Sequence, residues 1–381
     1  MAVDVNSFYE PLTGVGWYLH QLLVHLGGRG DLRLRLYGQS LVDEDPGAPA
    51  PVVELPRGPA IERVVYAAPD GLVIPPWRAH QVLRRLAPLL LAADGNDVLF
   101  APNYLFPPLF RFAGGVRIAT VHDLGVRKVP WAVRPDSAAA LRERLDRTLL
   151  EADLLLTPSE AVRRELVEIG VSPGRVRAIH HGTGLVADDA TGPAPARTPR
   201  RYALHVGTLE PRKNVATLLA AWRRLRARRA DPPPLVLCGG FGWKARTLRR
   251  EIADAEREGW VVHLGYVSAA ELAALYRGAE LVALPSFYEG FGLPAVEALR
   301  AGAPLIASDL PVLREVAGEA ALYAPPDRPD LWADGIAALL EDGNLRETLR
   351  KKGCERAGLF DWRRAAAETA QAFREVGKVV E

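Results

Sequence analysis

Short apolar segments alternate with stretches of helical period twice over in this chain, and that rhythm restricts the fold more than any other feature. Val3-Asp4-Val5, Arg33–Tyr37, Asp97–Phe100, Arg117–Val121, Asp153–Thr157 and Val176–Ile179 read as strands of a first series. A second series follows at Ala203–Val206, Leu235–Cys238, Val261–Leu264, Leu281–Leu284, Leu305–Ala307 and Ala321–Tyr323. Runs of this kind separated by amphipathic helices are βαβ units, whose strands pair in parallel and are covered on both faces. At 381 residues the chain is longer than one core supports, which is about 250–300 residues. The expectation is therefore α/β, with two doubly wound Rossmann-like domains. Residues 185–200, including Thr191-Gly192-Pro193-Ala194-Pro195, have the composition of a linker, which places the domains at residues 1–184 and 201–361. Ligands of such sheets bind beyond the carboxyl ends of the strands, so two domains facing each other would enclose a cleft lined by strand-to-helix turns.

Composition excludes several functions without naming one. A formal charge of +2, with 25% charged and 49% hydrophobic residues, carries no global field that asks for nucleic acid. Cys238 and Cys354 are the two cysteines, and no CxxC or Cys/His cluster offers a zinc site or a disulfide framework. Asp43-Glu44-Asp45 is the one Asp-x-Asp string and belongs to none of the strand-end turns, so no metal or resident cofactor is expected. With no leader before Ala2-Val3-Asp4-Val5 and no apolar run of membrane length, the expected location is the cytoplasm.

Among the strand-end turns, residues 285–297, Pro-Ser-Phe-Tyr-Glu-Gly-Phe-Gly-Leu-Pro-Ala-Val-Glu, are the most informative. Glycines 290 and 292 permit close approach of a ligand. Pro294 suits a first helical turn, and the opening helix presents backbone N–H groups and a positive dipole end to an anion. Glu289 on the loop and Glu297 one turn into the helix lie at different depths and predict different roles. In Gly207-Thr208-Leu209-Glu210-Pro211-Arg212-Lys213-Asn214, two adjacent cations precede a helix start. Dipole logic prefers carboxylates there, so either an anion such as a nucleotide diphosphate compensates them or they are solvated surface cations. Ile118-Ala119-Thr120-Val121-His122-Asp123 aims His122 past a buried strand, toward the cleft or into a structural hydrogen bond.

The 285–297 segment resembles the Glu-x7-Glu motif of the family 4 glycosyltransferases, retaining enzymes of the GT-B fold. By that resemblance Glu289 contacts the donor sugar, Glu297 the nucleotide ribose, and Gly290, Phe291, Gly292 and Leu293 lie around the donor. Lys213 matches the family's diphosphate lysine. Thr208 stands where the family has an arginine, which leaves Arg212 to substitute. His122 matches a histidine on the sugar hydroxyls, and the turn at Gly14 and Gly16 matches the family's glycine loop. Gly239, Trp243 and Val267 fall where the family holds the nucleobase, although Trp243 serves equally well as a packing aromatic. Thr-Leu-Glu-Pro-Arg-Lys-Asn is also found in mannosyltransferases of bacterial surface polysaccharide pathways.

The resemblance implies a metal-independent hexosyltransferase using a nucleotide-sugar co-substrate, with GDP-mannose as donor and a glycan or lipid-linked acceptor. A UDP-sugar donor and a nucleotide-sugar epimerase are the alternatives, with a non-catalytic sensor a further rival. It also implies that helix 362–381 packs back on an acceptor-side first domain. The apolar loop 102–110 and the basic, leucine-rich helix candidate Pro76–Ala92 belong to that side. They suit either core burial or peripheral contact with a membrane.

Overall fold

A computed structural model of the chain describes residues 1–5, 14–37, 56–63, 95–103, 115–183, 192–228 and 231–377. The helix candidate 76–92, most of loop 102–110, Thr13 and the first part of the linker lie outside the described residues. Two compact units form. One comprises Met1–His122, Ala139–Gly182 and Trp362–Glu381, the other Asp123–Ala138 and Thr183–Asp361.

The first unit is built on a seven-stranded sheet of β1 (Ala2–Asp4), β2 (Leu34–Tyr37), β3 (Ile61–Arg63), β4 (Val98–Ala101), β5 (Val116–Thr120), β6 (Leu154–Thr157) and β7 (Val176–Ala178). All its pairings are parallel and the order is β3-β2-β1-β4-β5-β6-β7. The register Ala2↔Arg35 and Ala2↔Leu99 puts β1 between β2 and β4. β3 escapes the sequence reading because Ile-Glu-Arg shows no apolar run; it is recruited by its pairing with β2. One core contains Leu19, Leu22, Leu23 and Leu26 of the helix Gly14–Leu26 together with Val3, Leu36, Phe100 and Ile118. Ala366, Ala370 and Phe373 of the helix Trp362–Gly377 join it, with the Phe373 ring 5.1 Å from Phe100.

The second unit repeats the plan with β8 (Ala203–Val206), β9 (Leu235–Cys238), β10 (Val261–Gly265), β11 (Leu281–Leu284), β12 (Leu305–Ser308) and β13 (Ala321–Ala324). Their order is β10-β9-β8-β11-β12-β13, again parallel throughout. β9, β11 and β12 are buried along their whole length, as strands covered on both faces must be. Trp222 and Trp332 fill the core between β8, β9 and the helices Val215–Arg228 and Pro329–Glu341. Each sheet starts in its middle, and the winding reverses between β8 and β11 in the second unit. At such a reversal adjacent connections leave in opposite directions and open a crevice beyond the strand ends. Among the described residues no helix is long and apolar enough to cross a membrane.

Candidate active site

The loops leaving β8 and β11 flank that reversal and are fastened to each other. After β11 the chain passes Pro285 and Ser286 and turns at Gly292, whose φ of 92° is left-handed. That conformation favours glycine, and a Cβ there would also have to displace the end of the Leu313 side chain, 2.7 Å away. The helix Leu293–Arg300 then opens with Pro294 in its first turn. After β8 the short turn Pro211–Lys213 leads to Asn214, which adopts φ 54° and ψ 36° without being glycine. Its Nδ2 donates to the Pro285 carbonyl at 2.9 Å and the Pro326 carbonyl at 2.6 Å. The Phe287 backbone N–H donates to the Arg212 carbonyl at 2.9 Å.

These fastenings bring Glu289, Arg212 and Lys213 together. Glu289 is 9% exposed. Its Oε1 accepts from Lys213 Nζ at 2.6 Å and from Ser286 Oγ at 2.6 Å, while Oε2 accepts from Arg212 Nη1 at 3.3 Å. Burial alone would raise its pKa. The charges of Lys213 and Arg212, with the Lys213 and Ser286 hydrogen bonds, outweigh burial and hold the carboxyl at about 2. Arg212 also reaches Glu210, with Nε donating to Oε1 at 3.1 Å. Burial would lower the Arg212 pKa, yet Glu289, Asp123 and Glu210 raise it. Glu210 itself is pushed up by burial, against the pull of Arg212 and Lys213. The two cations are therefore not solvated: two carboxylates of the protein already supply counter-charge. Buried charges held this way are preorganised to meet a polyanion without large rearrangement.

Glu297 lies one turn into the same helix, and its Oε2 accepts from Tyr276 Oη at 2.8 Å. Burial raises its pKa, with the Tyr276 bond opposing. Glu289 and Glu297 thus sit in opposite electrostatic settings, one held ionised and one inclined toward the proton. The Phe291 side chain is buried and packs edge-on to Phe360, with ring centroids 5.7 Å apart. Gly239, at φ 133°, passes so close to β8 that a Cβ would fall 2.2 Å from the Gly207 carbonyl oxygen. Trp243 donates from Nε1 to the Ala132 carbonyl. Val267 is half-buried just beyond β10, and Thr208 is likewise half-buried after β8.

In the first unit His122 is half-buried, with Nε2 2.7 Å from the Pro102 carbonyl oxygen. Its ring stands edge-on to Tyr18 at 4.8 Å and to His181 at 5.5 Å. His181 stacks between Tyr18 and Trp362, and burial, assisted by His122 and His180, keeps its pKa well below the usual imidazole value. The structural hydrogen bond considered for His122 is therefore present, within an aromatic cluster that fixes the ring. Gly14 opens the helix Gly14–Leu26 and Gly16 lies buried in its first turn, so both belong to a helix start rather than a free turn.

Sequence reading missed several residues of this arrangement. Ser286, Tyr276 and Tyr288 act through long-range contacts; Tyr288 Oη accepts from the Leu124 backbone N–H at 2.8 Å. Asn214 left a usable signal, since asparagine just before a helix is a frequent left-handed residue. Among the described residues no cluster of His, Cys, Asp and Glu could hold a metal ion.

Comparison with known proteins identifies the family. Residues 189–356 match the family model for glycosyl transferases group 1, and residues 12–187 match glycosyltransferase family 4. The chain is 30% identical over 380 residues to O-antigen chain mannosyltransferase B of Escherichia coli, an alignment covering 96% of each protein. Sucrose-phosphate synthase from Thermosynechococcus elongatus superposes with a TM-score of 0.73 at 24% identity, covering 99% of both chains. Anabaena HepE, solved with UDP and glucose, gives 0.72 at 17% identity, covering 98% of this chain and 99% of that one. Both likenesses extend the two-Rossmann GT-B architecture over the whole chain. With a full-length relative at this identity and two family models that together span the chain, the protein belongs to the family 4, group 1 glycosyltransferases.

Proposed function

We propose that the chain transfers mannose from GDP-mannose to a hydroxyl of a growing surface glycan, with retention of anomeric configuration and without a metal ion. The observation that carries this reading is the buried, ionised Glu289 clasped by Arg212 and Lys213 at the strand reversal. There the cations, already held in place, would stand against the donor diphosphate while the carboxylate would meet the sugar. The bond between the anomeric carbon and the phosphate oxygen would break, and the acceptor oxygen would bond on the same face. The acceptor's proton would pass to the departing phosphate. Arg212 and Lys213 would stabilise the charge that builds there, the work a metal does elsewhere. Glu297 would hold the ribose, Gly239 and Val267 the base, and His122 the sugar hydroxyls. Similarity to the E. coli mannosyltransferase supports mannose as the sugar. On this reading the protein works in the cytoplasm, at the inner face of the membrane where its acceptor is lipid-linked.

The test is a donor screen by thermal shift, followed by transfer in EDTA and NMR of the product's anomeric proton. GDP should stabilise the protein distinctly more than UDP at equal concentration, because a mismatched base leaves buried polar groups unpaired at about 1–3 kcal/mol each. A larger shift with UDP would replace mannose by a UDP-sugar donor. Activity lost in EDTA and restored by magnesium or manganese would end the metal-free account. Release of an altered sugar nucleotide without acceptor would indicate an epimerase.

A further inference from the structure

Trp131 is half exposed, with 51% of its surface open, although the short turn Pro130–Ala132 that carries it is firmly seated. Ala132 beside it is buried. The Trp131 carbonyl accepts from Lys244 Nζ at 2.7 Å, and the Ala132 carbonyl accepts from Trp243 Nε1. Two consecutive carbonyls are thus clamped by side chains of the loop after β9. The Trp131 ring stands against Phe287 with centroids 5.2 Å apart and planes at 80°. Phe287 is tied through its backbone to Arg212 and precedes Glu289 by two residues. The Trp131 indole N–H meets no acceptor among the described residues.

Core packing does not explain this ring. Burying a large apolar side chain is strongly favourable, and here much of that gain is forgone while the backbone is held rigid. A flat apolar face with one free N–H, immobilised in this way, suits a ligand that is apolar on its face and polar at its edge. A pyranose has that character, with C–H groups on a ring face and hydroxyls around the rim. The pair also stands at the Arg212–Glu289 end of the strand-end loops. Gly239 and Val267, on the nucleobase side of the proposed reading, follow β9 and β10, across β8 from the β11 loop that carries Phe287.

We propose that Trp131, propped by Phe287, is a stacking platform for a sugar ring of the glycan acceptor. The proposal rests on the glycosyl-transfer reading, and the experiment separates the two. Saturation-transfer NMR with mannotriose in the presence of GDP would be run on the wild type, Trp131→Ala and Trp131→Phe, alongside GDP and UDP thermal shifts. Mannotriose affinity should fall about 10-fold or more in Trp131→Ala, with Trp131→Phe between it and the wild type, while the GDP shift is the same in all three. Undiminished mannotriose binding in Trp131→Ala overturns the platform, as does a wild type that binds no mannotriose. Loss of the GDP shift in the folded Trp131→Phe variant overturns it too, by making the ring part of the nucleotide site. If neither GDP nor UDP shifts the wild type, the transferase reading fails, while the mannotriose arms still decide the role of Trp131.

Discussion

Glu289 combines burial, ionisation and two cationic partners, and each has a separate consequence. Glu289→Gln keeps an oxygen for Ser286 or Lys213 but removes the charge that compensates Lys213 and Arg212. Transfer should fall on the order of 100-fold, as for other lost transition-state contacts. The variant should also melt below the wild type and recover part of the difference with GDP, whose diphosphate replaces the missing charge. Near-normal turnover would remove Glu289 from the chemistry. Lys213→Ala should weaken GDP binding and turnover together, because a cation on the leaving group acts in ground and transition states alike. A fall in turnover with GDP affinity unchanged would exclude that role. The positions of these residues were legible in sequence because each sits at a strand end. Their mutual pairing was not: Lys213 and Glu289 are 76 positions apart, and only the β8–β11 adjacency unites them.

At the scale of elements, the parallel strands were readable because burial on both faces leaves nearly continuous apolar runs. The loops were readable only where a residue type betrays its backbone, as Gly292 does and Phe291 does not. Asn214 is the fastening between them, and its two roles can be separated. Asn214→Gly keeps the left-handed conformation but abandons the Pro285 and Pro326 carbonyls, at about 1–3 kcal/mol for a buried group left unpaired. Asn214→Ala loses the same bonds and adds the strain of a β-carbon in that region, roughly 1–2 kcal/mol more. Denaturant unfolding should therefore rank wild type above glycine above alanine, with transfer following the same order. Equal stability of the two variants would mean that backbone strain at this position is negligible.

For the whole molecule, the parallel, doubly wound plan was implied by the βα rhythm, whereas the strand order and the grouping of Asp123–Ala138 with the second unit were not. That segment is held by contacts such as Leu124 to Tyr288 and Ala132 to Trp243, at separations no local pattern reports. Each unit also buries an imidazole that burial keeps neutral: His181 in the first, well below its usual value, and His205 in the second, at about 4. His205 lies on β8 with Nδ1 2.9 Å from the Ala283 carbonyl oxygen, and the Lys213 charge assists burial in lowering its pKa. Between the unfolded value of about 6.5 and a folded value of about 4, the unfolded chain binds a proton that the folded chain refuses. Stability from His205 is thus fully present above that range and declines as pH falls through it, by about 3 kcal/mol in all. His181 acts in the same direction. The raised carboxyls Glu210 and Glu297 act in the opposite one, because the folded state protonates them first. A difference between variants isolates the imidazole from these other groups. From pH 7 to pH 4 the second unit of the wild type should lose about 3 kcal/mol more than that of His205→Asn, which has no proton to refuse. Calorimetry at several pH values checks this, and parallel losses in the two proteins would mean that His205 titrates alike folded and unfolded.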